Sequence, residues 1–233
     1  MLLKIFREPP IDNNNYLLIE PKSKEAVLID CSAVDPGVRD ELEKSGAKLK
    51  YILLTHGHFD HIAGIRKDYF ADRTAPTGIS KAQAELSQNS AVLPRGEESL
   101  KVVMHESDLK ILNQSNLYLP AFGIPEITIP KVDIFVKDND ILKLGDVEIK
   151  VIHTPGHTQG GVCYYLEKEN MLFSGDTIFR ESVGRCDLEG GDFRQIVESI
   201  KTKIFTLPNN TIIYPGHGKS TDVAWEKEHN QFM

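Results

Sequence analysis

The chain has 233 residues, 40% of them hydrophobic and 26% charged, the proportions of an ordinary globular chain with material for a sizeable core. A net charge of −7 argues against a general electrostatic grip on nucleic acid or anionic lipid. Seventeen Gly and twelve Pro exclude collagen-like and low-complexity chains.

At about 150 residues per domain, this length suits one large α/β domain or two small ones. The longest uninterrupted apolar run, Val162–Leu166, is far short of the about 20 residues that span a bilayer. The N-terminus meets Lys4 and Pro9 too early for a signal-peptide core. Cys31, Cys163 and Cys186 are odd in number, widely spaced and without a CxxC pair. Reduced thiols in a cytoplasmic protein are therefore expected.

In chain order, residues 2–6, 16–19 and 26–31 read as strands, separated by Asp12-Asn-Asn-Asn15 and the turn-rich residues 21–24. Asp35-Pro36-Gly37 starts a helix, with Asp at the cap, Pro in the first turn and Gly46 just past the end. Residues 51–54 (YILL) form a buried strand running into a histidine cluster, and a second helix is predicted from near Asp60 to about Phe70. The pattern then weakens. Residues 71–98 read as a lid or surface insertion, with one helix over 80–87. A strand over 101–105, a helix over 107–112 and a Pro-punctuated loop over 120–130 follow. Strands are then predicted over 141–144, 147–153, 162–166 and 171–174. An amphipathic helix over 192–205, a strand over 211–214 and a helix over 222–229 complete the chain. Strand-rich blocks, each followed by helix, predict a sheet core with helices outside. With no linker-like stretch dividing it, residues 1–233 are expected to form one domain.

Five segments concentrate chemistry: THGHFDH at 55–61, TPGHT at 154–158, SGDT at 174–177, GRCD at 184–187 and YPGHG at 214–218. Each follows or closely trails a predicted strand, where a rigid scaffold offers side chains to a common pocket. Pro-Gly-His occurs at both 155–157 and 215–217, a tight turn that lifts the imidazole off the sheet edge. His56, His58, Asp60 and His61 crowd four ligand-type side chains into six residues. Neutral imidazole and carboxylate suit zinc, iron and manganese. On extended backbone His56 and His58 point to one side and can clamp one ion, leaving Asp60 and His61 for a neighbouring ion. His157, Asp176 and His217 arrive from the later loops. Seven N/O ligands exceed one tetrahedral site and suit two ions sharing a carboxylate. Such pairs lie about 3.5–4 Å apart and bridge a water whose pKa falls toward about 7. Cys186 is the one cysteine in these loops, so a thiolate-ligated structural zinc is not expected. Bland readings compete: an HxH pair on a surface, turn histidines at 157 and 217, a turn cap at Asp176 and a surface ion pair at Arg185. His153 reads as a core or supporting histidine, and His105 and His229 as ordinary.

THGHFDHIAG at 55–64, TPGHT at 154–158, FSGDT at 173–177 and YPGHG at 214–218 resemble the ordered motifs of the metallo-β-lactamase-fold hydrolases. Within them the chain is most similar to the glyoxalase II (hydroxyacylglutathione hydrolase) group. The resemblance implies an α/β (α+β) fold, a four-layer αββα sandwich with the metals at one edge of its two sheets. It implies two divalent metal ions, zinc first, with iron or manganese as alternatives. His56, His58 and His157 would hold one, Asp60, His61 and His217 the other, and Asp176 would bridge them. Asp at 176, where β-lactamases of the main zinc class tend to carry Cys, favours the hydrolases. Three departures stand out. The C-terminal helical domain that brings basic residues to glutathione in glyoxalase II is absent from these 233 residues. Residues 179–192 (FRESVGRCDLEGGD) look like a short bacterial and archaeal glyoxalase-II-like group, with Arg185 where the longer enzymes place a basic glutathione contact. Residues 71–98 are longer than the usual connection.

The resulting expectation is hydrolysis of a small-molecule thioester such as S-lactoylglutathione, with no nucleic-acid or membrane partner. A metal-bridging hydroxide would attack the carbonyl carbon, with Asp60 orienting it and taking its proton. One alternative is a persulfide dioxygenase with a single Fe(II) on His56, His157 and Asp176. Another is lactone or phosphodiester hydrolysis on the same dimetal core. A tRNA-processing nuclease would need a basic arm, which a net charge of −7 without a Lys/Arg run does not supply.

Overall fold

Strands that are apolar on both faces dictate the architecture of the computed structural model, which describes residues 1–8, 12–66 and 99–233. The first sheet has the order β1 (Leu2–Glu8), β2 (Asn13–Glu20), β3 (Glu25–Ile29), β4 (Lys48–Leu53), β5 (Lys101–His105), β6 (Ile134–Val136). Its first three strands are antiparallel and its last four run parallel. The second sheet contains β7 (Ile141–Leu144), β8 (Val147–His153), β9 (Val162–Leu166), β10 (Met171–Gly175), β13 (Ile212–Pro215) and β14 (Thr221–Asp222). Its order is β14-β13-β10-β9-β8-β7, with β10 and β13 parallel. A small hairpin, β11 (Ile178–Phe179) and β12 (Ser182–Val183), stands beside it.

Alternation along β2 sorts the layers. Tyr16 and Leu18, with Val27, Ile29 and Leu53, meet Ile149, Val151, Tyr164 and Phe173 of the second sheet. Leu17 and Ile19, with Leu28, Ile52 and Met104, face the other way. They pack against Val38 and Leu42 of α1 (Pro36–Ser45) and Leu112 of α2 (Leu109–Gln114). Beyond the second sheet, Cys163, Tyr165, Leu172 and Ile213 pack on Ile196 of α3 (Phe193–Ser199) and Val223 of α4 (Val223–His229). The result is the four-layer αββα sandwich of the metallo-β-lactamase fold, each sheet covered on both faces.

Local signals set several boundaries. The Asp35 carboxylate accepts from the Gly37 N–H, and Gly46, in left-handed backbone with φ 64°, ends α1. Asp192 caps α3, which continues as a π-helical turn over Ile200–Ile204, so the predicted helix over 192–205 is one capped unit. The helix predicted from Asp60 is corrected. The described part is a single 3₁₀ turn, Phe59–His61. Its backbone bonds outward instead of along a helix: Cys31 N–H donates to the His61 carbonyl, and Gly64 N–H donates to the Cys31 carbonyl. Residues 67–98, which include the rest of that helix, all of the predicted insertion and the helix over 80–87, lie outside the described residues. The helix predicted over 107–112 starts as a 3₁₀ turn, Glu106–Asp108, and continues as α2. The unpredicted β6, β11, β12 and β14 are two or three residues long, too short to show alternation. No helix among the described residues is long and apolar enough to cross a membrane.

Two buried tyrosines fix the strand ends that carry the histidine loops. The Tyr164 hydroxyl donates to the Leu54 carbonyl at 2.8 Å, and the Tyr16 hydroxyl to the Pro215 carbonyl at 2.6 Å. Thr55 and Gly216 follow directly. Tyr164→Phe removes the hydroxyl and should cost about 1–2 kcal/mol, read as a lower urea midpoint with unchanged far-UV circular dichroism. An unchanged midpoint would contradict this account of the strand end.

Candidate metal centre

The centre is assembled from backbone turns just past the strand ends, with His56, His61 and His157 steadied from behind. Asp30 follows β3 in left-handed backbone, φ 56°, a strained conformation for a residue with a side chain. There its carboxylate is buried and accepts the Thr55 N–H and the Thr55 hydroxyl, both at 2.8 Å, and the His61 Nδ1–H at 2.7 Å. His61 Nε2 is thereby turned toward Asp60 Oδ2 at 3.7 Å and Asp176 Oδ1 at 3.5 Å. His56 Nδ1 lies 3.1 Å from the same Thr55 hydroxyl. His157 Nδ1–H donates to the Arg185 carbonyl at 2.7 Å. The Nε2 of His157 therefore faces His56 Nε2 at 3.2 Å and His58 Nδ1 at 3.0 Å.

His217, on the loop after β13, places Nε2 3.3 Å from Asp60 Oδ2. Asp176, after β10, lies between the two sets, with Oδ2 3.6 Å from His157 Nε2 and 3.7 Å from His217 Nε2. This approach needs glycine at 216, because a Cβ there would stand 2.2 Å from Asp176 Oδ1. Three ligand-type groups result: His56/His58/His157, Asp60/His61/His217, and His56/His61/Asp176 joining them.

The donor set suits cations. Nitrogens 3.0–3.2 Å apart approach the edge of a tetrahedron built on bonds of about 2.0–2.1 Å, which is about 3.3 Å. Asp176 Oδ1 is buried without a hydrogen-bond partner, a costly arrangement unless a cation or solvent meets it. Burial, reinforced by neighbouring imidazoles, holds His56 well below its ordinary value. Burial and His157 push His58 down to about 4. Both are neutral at pH 7, the form that ligates metals. For Asp176, burial favours the neutral acid, yet His61, His157 and His217 outweigh it and hold the carboxyl well below its usual range. Burial likewise opposes the charged form of His61, but Asp30, Asp176 and Asp60 raise it well above the ordinary 6.5.

All seven predicted ligand-type residues thus come together. Arg185 does so differently from the expectation. Its guanidinium is exposed and forked onto Asp187 at 2.7 and 2.8 Å, while its backbone carbonyl orients His157. Cys186 is half-buried, its thiol directed to the Gly184 carbonyl. His153 stacks on His105 at 4.2 Å, and His229 stacks on Trp225. The reading of motifs missed Asp30, Thr55 and Asn13, whose amide nitrogen lies 2.9 Å from His61 Nε2. A signal for Asp30 was present: a carboxylate closing the all-apolar run Ala26-Val-Leu-Ile29.

The metallo-β-lactamase superfamily model matches residues 9–217. The chain belongs to the metallo-β-lactamase superfamily. It is 30% identical over 220 residues to the hydroxyacylglutathione hydrolase GloC of Haemophilus influenzae, covering 94% of this chain and 92% of that protein. Among solved structures it is similar to the BLEG-1 B3 metallo-β-lactamase, with TM-score 0.76, 32% identity and 99% coverage of both chains. It is also similar to TTHA1623 in a di-iron-bound form, with TM-score 0.74, 28% identity and coverage of 99% of this chain and 100% of that one. Membership of this superfamily and the His/Asp cluster support a metal-dependent hydrolase using divalent ions.

Asp30→Ala leaves three buried donors without their acceptor and should destabilise the metal-free protein by about 3–5 kcal/mol, measured by urea unfolding. A loss below about 1 kcal/mol would contradict the buried network. The raised pKa of His61 adds a pH signature. Its contribution is fully present below the ordinary 6.5 and is lost as pH rises through the raised value. Unfolding of the metal-free wild type from pH 6.5 upward should show that loss, and Asp30→Ala should flatten it.

Proposed function

We propose that this protein is a glyoxalase-II-like thioesterase, hydrolysing S-acyl thiols such as S-lactoylglutathione at a centre of two divalent metal ions. The observation that carries the reading is Asp176 set between two complete three-residue groups, one of imidazoles only and one containing Asp60. The similarity to the GloC hydrolase along nearly the whole chain supports the thioester class. Asp in place of Cys at 176 supports it as well.

His56, His58 and His157 would hold one ion, Asp60, His61 and His217 the second, and Asp176 would be shared. Zinc suits these donors, with iron, as in the di-iron relative, or manganese as alternatives. Bound there, the ions supply Lewis acidity at the thioester carbonyl and acidify a water at neutral pH. Asp60, with its side chain 16% exposed beside the more open His217, lies on the accessible side of the cluster. It orients the attacking water and accepts its proton at a carboxylate oxygen. The water oxygen adds to the acyl carbon and the C–S bond breaks with its electron pair on sulfur, which takes the proton held by Asp60, giving a carboxylic acid, a free thiol and the Asp60 carboxylate again. His61, held by Asp30, and His157, held by the Arg185 carbonyl, keep their geometry while charge develops. The exposed Arg185 guanidinium, exchanging Asp187 for a substrate carboxylate, recruits the thiol carrier.

Metal-replete protein should hydrolyse S-lactoylglutathione, and a chelator-stripped sample beside it should not. Asp176→Ala and His58→Ala should purify with less metal and lose nearly all activity; full activity at full metal content in either would sink the site assignment. Hydrolysis of a chromogenic cephalosporin, or thiol-dependent oxygen uptake with one iron per chain, in place of thioesterase activity would move the chemistry to lactam opening or persulfide oxidation. Arg185→Ala should raise KM more than it lowers kcat. An unchanged KM would confine Arg185 to its pairing with Asp187.

A further inference from the structure

Asp108 ends the short 3₁₀ turn before α2 and is fully buried. As the N-cap of α2 it should accept one of that helix's own N–H groups, yet it makes no side-chain cap bond. Its three acceptances all go elsewhere. Oδ2 accepts the Gly57 N–H at 2.9 Å and the Thr158 hydroxyl at 2.7 Å, and Oδ1 accepts the Gly160 N–H at 2.6 Å. Gly57 separates His56 from His58, and Thr158 follows His157. One carboxylate therefore joins the two loops, 100 residues apart, that carry the three-imidazole group.

The approach is close on both sides. A Cβ on Gly57 would stand 2.8 Å from the Asp108 carbonyl oxygen, and one on Gly160 2.6 Å from the Asp108 nitrogen. The following turn adds a contact, the Ser115 hydroxyl donating to the Gly57 carbonyl at 3.4 Å. His61, in contrast, is steadied by Asp30. Asp30 also reaches His56 through the Thr55 hydroxyl, whereas the Asp108 carboxylate meets only the two loops of the three-imidazole group.

We propose that Asp108 is a positioning residue for the His56/His58/His157 group, trading its own helix cap for a clamp that sets the spacing of these imidazoles. The proposal rests on the two-metal reading for its consequence but not for the clamp itself, and the test separates them.

In metal-free Asp108→Asn, of nearly the same shape, amide hydrogen exchange at Gly57 and Gly160 should rise by about tenfold or more, while Gly216 is unchanged. In a His217→Ala background, where the three-imidazole group is whole and the Asp60/His61/His217 group is not, Asp108→Asn should weaken Zn²⁺ binding about 10–100-fold. In a His58→Ala background it should change Zn²⁺ binding by less than about twofold. Thr158→Val should fall between, with Thr158→Ser restoring wild-type behaviour, and this pair decides the matter if Asp108→Asn does not fold. Unchanged exchange at both glycines would overturn the clamp. Equal weakening of Zn²⁺ binding in both backgrounds would overturn its selectivity and make Asp108 a general stability residue. A wild type that binds no Zn²⁺ would defeat the two-metal reading alone, since the exchange experiment still decides the clamp.

Discussion

Packing five imidazoles and two carboxylates into one largely buried cluster is the constraint on which the rest of the molecule depends. Each ring has two nitrogens, and a buried ring must satisfy one of them to point the other. His61 does this through Asp30, His157 through the Arg185 carbonyl, and His56 beside the Thr55 hydroxyl. The atoms left facing inward, including the unpartnered Asp176 Oδ1, are mutually close. A cluster so arranged suits cations, and Asp30 meets it from a strained backbone.

Why the cluster lies at the sheet ends follows from the layers. Inside the sandwich, residues 16–19 of β2, β9 and their neighbours are apolar on both faces and leave no room for charge. At the ends of β3, β4, β8, β10 and β13, chains leave the sheets and expose backbone donors and carbonyls that side chains can use. Tyr16 and Tyr164 cross from one element to another at those ends. A stable two-sheet core thus transmits its rigidity to loops that are distant in sequence.

Legibility in the sequence followed the range of the interactions. β7, β8 and β9 and the limits of α1 depend on neighbouring residues, through alternation, Asp35 and Gly46, and they were readable. The seven ligand-type residues were readable because histidine and aspartate crowd turns after apolar strands. The segment after His58 was misread as a helix because its backbone bonds run to Cys31, on another loop. Asp30 and Asp108 escaped because each sits inside a predicted element, a strand over 26–31 and a helix over 107–112, while their partners lie 25–52 residues away. Arg185 was singled out for its charge, yet its carbonyl is the part that reaches the centre.

The proposed function requires two cations that share Asp176 between the three-imidazole group and the Asp60/His61/His217 group. Anomalous diffraction from crystals of the metal-loaded protein tests it directly. Two peaks about 3.5–4 Å apart, flanking the Asp176 carboxylate, are expected. A single peak held by His56, His157 and Asp176, or peaks away from these residues, would contradict it.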